Sequence, residues 1–92
     1  MPKLFKIGGY WIYIWSNEGE PLEPVHIHVS EGKPEKDATK IWITRAGKCL
    51  KCHNKSRIPD QVLNNMMRMI ELRVDYIVEK WIEHFGEITY FC

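Results

Sequence analysis

The hydrophobic pattern of the chain changes once, near Ser56, and this change constrains the fold more than any other feature. Before it, short apolar runs alternate with polar residues at a period of two, which is typical of half-buried β-strands. After it, apolar residues recur at steps of three and four as far as Phe85, which places them on one face of a helix. The sequence therefore predicts an α+β fold, an antiparallel sheet of four to five short strands with one face covered by a C-terminal helical segment.

The strands are predicted from β-prone runs that are separated by turn-forming residues. The Gly8-Gly9 pair between the first two runs suits a tight hairpin turn. The polar connection at 30–37, with Gly32 and Pro34, is typical of an exposed loop, and we expect it to be solvated and without a role. The predicted strands cover residues 3–7, 10–15, 23–29, 38–44 and 47–53.

The helical segment has a recognisable start and end. Ser56 is a candidate N-cap, Pro59 is tolerated in the first turn, and Gly86 is placed to stop the helix. A single helix over this span would be long for a small domain. We therefore expect two helices, with a bend or break near Leu72.

Strand phase divides the side chains of the predicted sheet between two faces. One phase is aliphatic and is expected to form the core under the helices, with Ile12, Ile14, Val25, Ile27, Val29, Ile41 and Ile43. The other phase is aromatic, imidazole-bearing and cationic, and is expected to form an open platform on the far face, with Trp11, Tyr13, Trp15, His26, His28, Lys40 and Trp42.

The two histidines of the third strand are the strongest candidates for a site. Their His-x-His spacing puts both imidazoles on one face, with about 6 to 7 Å between the Cα atoms. His26 and His28 could be hydrogen-bonded surface residues, a binding or acid–base pair, or metal ligands. Glu18 and Glu23 could hold an imidazole tautomer. We expect these side chains to lie away from the helices.

The composition fits one domain over residues 1–92, with a net charge of +1 that argues against a strongly electrostatic partner such as bulk duplex DNA. No apolar run is long enough to span a bilayer, and the first residues lack an apolar signal core. We therefore expect a cytoplasmic protein with no membrane partner.

The cysteines suggest metal chemistry without specifying it. Cys49, Cys52 and Cys92 are expected to be free thiols in a reducing cytosol. The run Cys49-x-x-Cys52-His53 matches the attachment signature of c-type haem, which normally requires export. It could instead supply three zinc ligands, with His26, His28 or Cys92 as the fourth. Because a second ligand pair is missing, we assign neither a metal nor a cofactor.

Three segments together resemble a known family, domain-of-unknown-function family 4160. They are Glu23-Pro24-x-His26-x-His28, Ala38-x-Lys40-x-Trp42 and the helix that carries Trp81-x-x-x-Phe85. The resemblance implies a small prokaryotic protein of a kind often encoded beside another small domain and suggested to belong to toxin–antitoxin-like modules. It also implies two helices rather than one. The pair Cys49 and Cys52 departs from the family pattern.

Three functions follow as hypotheses, and whether the chain is an enzyme stays open. The first is a protein-binding component of a toxin–antitoxin-like module, in which a homodimer through the aromatic face is an alternative assembly. The second is an RNA-binding protein or small ribonuclease, with His26 and His28 as the acid–base pair. In this hypothesis Lys40 meets phosphate, and bases stack on Trp11, Tyr13, Trp15 and Trp42. The third is a zinc-binding domain.

Overall fold

A computed structural model describes residues 3–15 and 22–92 of the protein. The turn predicted around Glu18 lies outside these residues. The elements follow the order of strands and then helices that the change of period predicts. They are β1 (Lys3–Ile7), β2 (Tyr10–Tyr13), β3 (His26–Glu31), β4 (Thr39–Ile43), β5 (Cys49–His53), α1 (Asp60–Glu71) and α2 (Val74–Phe85).

The strands form one antiparallel sheet in chain order, β1-β2-β3-β4-β5, so β3 is its central strand. Ile27 of β3 is paired with Ile41 of β4, and Val29 is paired with Ile12 of β2. This register aligns the aliphatic phases of neighbouring strands on one face, as predicted. Within the described residues, β1 and β5 are the edge strands.

The helices bury the aliphatic face. Every residue that was predicted for the core of the sheet is 0% exposed. These side chains form one buried cluster with the apolar faces of α1 and α2, to which the helices contribute Leu63, Met66, Ile70, Val74, Ile77 and Trp81. The prediction of an α+β fold, with a sheet covered on one face by helices, is confirmed.

The helical segment breaks where it was expected to break. The first helix ends at Glu71, Leu72 and Arg73 form the turn, and the second helix begins at Val74. Gly86 ends the second helix with a φ of 79°, and its N–H donates to the Ile82 carbonyl at 2.7 Å. The left-handed conformation at this position favours glycine.

The predicted N-cap is wrong. Pro59, not Ser56, precedes the first residue of α1, and no side chain caps this end of the helix. The Ser56 hydroxyl instead accepts a hydrogen bond from the backbone N–H of Thr39 at 2.9 Å. Sequence spacing cannot separate a serine that caps a helix from one that ties the preceding connection to the sheet.

The residues after α2 run back along the sheet. Residues 87–92 contain no helix or strand, but the Thr89 carbonyl accepts a hydrogen bond from Val25 at 2.9 Å. The Cys92 carbonyl accepts one from Arg45, also at 2.9 Å. No helix in the described part of the chain is long and apolar enough to span a bilayer.

Candidate functional site

The sheet face opposite the aliphatic core is called the histidine face, and it comprises Trp11, Tyr13, His26, His28, Lys40 and Trp42. Strand register brings these residues together. His28 is paired with Tyr13 on one side and with Lys40 on the other, and His26 is paired with Trp42. The prediction that these side chains belong to one face is therefore consistent with the register.

The rings at the centre of the histidine face are in contact. The imidazole of His28 stacks on Tyr13, with 5.6 Å between the ring centroids and 23° between the planes. His26 meets His28 edge to face at 5.2 Å and meets Trp42 at 5.6 Å. The four rings form a continuous row across β2, β3 and β4.

This row is not the open platform that the sequence predicts. Tyr13 is 0% exposed, His26 is 1% exposed and His28 is 5% exposed. Trp81 of α2 contributes to this burial, because its ring lies 5.3 Å from the His26 ring. The prediction that both histidines lie away from the helices is therefore wrong for His26.

The connection between β3 and β4 contributes to the burial of the other two rings. The Tyr13 hydroxyl donates to the Glu35 carbonyl at 2.6 Å and accepts from the Glu35 N–H at 2.8 Å. Nδ1 of His28 lies 3.1 Å from the Ala38 carbonyl. The loop at 30–37, which was expected to be solvated and without a role, thus satisfies the buried hydroxyl of Tyr13 through the backbone of Glu35.

Hydrogen bonding determines the tautomer of both imidazoles. Nδ1 of His26 lies 2.9 Å from the Pro24 carbonyl, and Nδ1 of His28 bonds to the Ala38 carbonyl. Because a carbonyl oxygen only accepts, Nδ1 carries the proton in each neutral ring and Nε2 carries the lone pair.

Burial also keeps these rings uncharged at neutral pH. It lowers the pKa of His26 to about 4, and Lys40 acts in the same direction. Burial likewise lowers the pKa of His28. Burial raises the pKa of Tyr13 above its ordinary value of 10.0. Because burial disfavours the imidazolium, neither imidazole ring is available as a general acid at neutral pH, and both are weak general bases.

The accessible part of the histidine face lies at its rim. Lys40 forms an ion pair with Glu23, and its ammonium lies 4.5 Å from the centre of the Trp42 ring. Phe91 is stacked on Trp42, with 4.8 Å between the centroids and 5° between the planes. Trp15, the remaining residue of the predicted aromatic platform, is half-buried and lies just after β2.

A second pairing of cations with an aromatic ring lies on β1 and β2. The ammonium groups of Lys3 and Lys6 lie 4.8 Å and 5.3 Å from the centre of the Trp11 ring. Such contacts are attractive because the face of an aromatic ring carries partial negative charge.

The cysteines do not assemble a metal site. Cys49 faces α1, where its thiol donates to the Met67 carbonyl at 3.6 Å, and burial raises its pKa to about 12. Cys52 is exposed, and His53 is paired with Lys40. Among residues 3–15 and 22–92, no three His, Cys, Asp or Glu side chains are grouped so that they could share a metal ion. The zinc hypothesis thus gains no support from the geometry.

Sequence reasoning missed an apolar depression beside the edge strand β1, which is called the β1 groove. It has a volume of about 220 Å³ and is lined by Phe5, Lys6, Ile7, Met69, Leu72 and Arg73. Leu72 is 85% exposed and Met69 is 49% exposed. The available signal was Leu72 itself, an apolar residue at the break between the helices.

A family comparison finds a match over most of the chain. The sequence profile of the family described as "Domain of unknown function (DUF4160)" matches residues 9–82. The match spans β2 to β5, α1 and most of α2, and it includes both histidines. No curated protein matches the chain, and no solved structure matches it.

Proposed function

The chain belongs to the DUF4160 family of domains of unknown function, and from this premise we propose that it is a protein-binding component of a two-protein module of the toxin–antitoxin type. The observation that carries the proposal is the β1 groove. The groove joins exposed apolar side chains to the outer edge of the sheet.

The groove has two properties of a protein-binding surface. Leu72 and Met69 expose apolar area beside the partly buried side chains of Phe5 and Ile7. Contiguous exposed apolar surface of this kind marks interaction sites, since it gains free energy when a partner removes it from water. The adjacent strand edge presents backbone N–H and C=O groups to which a partner strand can bond.

The test is co-purification with a small protein encoded beside this chain, as the family resemblance leads us to expect. The two chains are co-expressed with a tag on one of them, and the molar mass of the complex is measured by light scattering. We expect equal amounts of both chains, and we expect Leu72→Asp to release the partner because a buried carboxylate would face the groove. Val62→Asp is the matched control, since Val62 is 38% exposed on α1 and does not line the groove.

Two results would contradict this function. One is the absence of any complex from co-expression of the two folded chains. The other is a complex that survives Leu72→Asp and Met69→Asp unchanged, with both variants folded by circular dichroism.

The cation–aromatic contacts favour a second candidate function, binding of single-stranded RNA at the histidine face. Lysines accompany both Trp11 and Trp42, which is the combination that contacts phosphates and stacks bases. The burial of His26 and His28 favours binding over cleavage in this candidate. Their catalytic role, and contacts of Tyr13 and Trp15 with bases, stay predictions.

Fluorescence anisotropy with a labelled single-stranded RNA at low salt tests the second candidate. We expect Lys40→Gln and Trp11→Ala each to weaken binding. Lys80→Gln is the control, because this lysine lies on α2 and is paired with Glu83. Undetectable binding at low salt would exclude RNA as the ligand, and cleavage that persists in the double variant His26→Ala, His28→Ala would exclude a catalytic role for the pair.

A further inference from the structure

We infer that the partner of the β1 groove is an acidic, extended segment that adds to the edge of β1 as a further strand and alternates apolar with acidic side chains. The inference rests on the proposed protein-binding function and names the class of partner. Three features of β1 lead to it: its position at the edge of the sheet within the described residues, its charges and the different chemistry of its two sides.

The charges around β1 are positive. Lys3 and Lys6 lie on the strand, and Arg73 lies beside it with its guanidinium 4.5 Å from the centre of the Phe5 ring. Within the described residues, none of these three cations has a carboxylate at ion-pair distance. The acidic side chains of an incoming strand would lie beside Lys3 and Lys6, because directly opposed charges on neighbouring strands attract, whereas Arg73 borders the groove on the other side.

The two sides of β1 favour different side chains in a partner strand. Phe5 is paired with Ile12 and faces the side of the sheet on which the helices pack, where the groove lies. The ammonium groups of Lys3 and Lys6 lie over the Trp11 ring of the histidine face, and Lys6 also borders the groove. Because successive residues of a strand point to opposite sides, a strand added to β1 would place every second side chain in the groove and the others beside the lysines.

The same geometry disfavours a second copy of this chain as the occupant. An antiparallel pair of two β1 strands related by a two-fold axis presents the same face of both strands on the same side. Lys3 and Lys6 of both copies would then crowd one face, where like charges repel. Lysines on an edge strand commonly prevent this kind of self-association.

The experiment compares short peptides, capped at both ends, for binding to the full chain by calorimetry. The probe alternates valine with glutamate. One control alternates valine with lysine, and the other carries the valines and glutamates of the probe in two blocks. We expect the probe to bind roughly tenfold more tightly than either control at low salt, and its affinity to fall as salt screens the charges. Amide hydrogen exchange should slow in β1 and stay unchanged in β5.

A charge exchange makes the test specific. The variant Lys3→Glu, Lys6→Glu should lose its preference for the probe and gain one for the lysine peptide. The matched variant Lys48→Glu, Lys51→Glu, which changes one charge on the opposite edge strand β5 and one just before it, should bind like the wild type. Equal binding of the peptides, absence of binding by all of them, or an unchanged preference in the β1 variant would each overturn the inference.

The two proposals fail in distinguishable ways. A partner protein that binds and is released by Leu72→Asp, but binds equally well to the Lys3→Glu, Lys6→Glu variant, would support the protein-binding function and contradict the acidic strand. If the chain binds the acidic peptide but forms no complex with the co-encoded protein, the acidic-strand surface is supported and the proposed module is contradicted.

Discussion

The two faces of the sheet are both buried at the centre, but they are buried by different means. The aliphatic face packs on the helices through one continuous apolar cluster. Within the described residues, the histidine face is covered by contacts that include the Glu35 backbone on Tyr13, the Ala38 carbonyl on His28 and the Trp81 ring beside His26.

This difference determines how mutation and pH affect the stability of each face. A hydrophobic cluster is non-directional, so its stability follows the apolar area that it removes from water. A row of buried polar rings depends on particular hydrogen bonds. The folded protein loses stability if any of these rings becomes charged. The aliphatic face should therefore respond to the volume of its side chains, and the histidine face to pH and to the removal of single atoms.

The largest effect is expected on the aliphatic face. Ile27 lies on the central strand and is 0% exposed, so Ile27→Ala would leave a cavity in the cluster. We expect the free energy of unfolding in urea to fall by about 4 kcal/mol. Leu72→Ala is the matched control, since Leu72 is 85% exposed and should change stability little. If both variants lost the same free energy of unfolding, stability would not depend on burial in the apolar cluster.

The histidine face should differ from the aliphatic face in its response to acid. Burial places the pKa of His26 at about 4 in the folded chain, below the ordinary value of 6.5 that applies in the unfolded chain. Between these values the unfolded chain binds the proton first, so stability is complete above pH 6.5 and falls until about pH 4. The loss from this residue is about 3 kcal/mol, and the lowered pKa of His28 adds to it.

Urea unfolding at a series of pH values from neutral to pH 4 measures this effect. Because carboxylates also titrate in this range, the informative quantity is the difference between the wild type and His26→Gln. The variant should show a shallower loss of stability with acid. If the free energy of unfolding fell equally with pH in the two proteins, His26 would be solvated. The two faces would then not differ in their response to acid.

A smaller effect should isolate the loop that closes the histidine face. Tyr13→Phe removes a hydroxyl that both donates to and accepts from the backbone of Glu35. We expect a loss of about 1 to 2 kcal/mol and faster hydrogen exchange of the Glu35 amide. Tyr10→Phe is the control on the same strand, because within the described residues the Tyr10 hydroxyl makes no hydrogen bond. Unchanged exchange at Glu35 would show that the loop is held by other contacts.

The aliphatic face could be predicted because its pattern is local. Alternation places Ile27 and Ile41 in phase within their own strands, and the step from Met66 to Ile70 does the same for α1. The break at Leu72 was likewise expected from the length of the helical pattern. Local pattern does not place Ser56, however, because the partner of its hydroxyl is a strand residue in another part of the sequence.

The histidine face could be predicted only as a set of residues. Strand phase indicates that Tyr13, His26 and His28 share a side, and register pairs them across the sheet. Their burial depends on Glu35, which is 22 residues from Tyr13 in sequence, and on Trp81 in the second helix. A periodic pattern carries no information on which distant segment closes over a face, so the expected open platform is a row of buried, neutral rings.

The smallest effect tests where the closed part of the histidine face ends. Phe91 is stacked on Trp42 yet is 58% exposed, so it covers the rim of the face while remaining in solvent. We expect Phe91→Ala to lower stability by only about 0.5 to 1 kcal/mol, since a partly solvated ring pair contributes little beyond its buried area. Acrylamide quenching of tryptophan fluorescence should increase because Trp42 becomes accessible, whereas Phe91→Leu should keep much of the protection. A loss as large as that of Tyr13→Phe would instead extend the closed part of the face to Trp42.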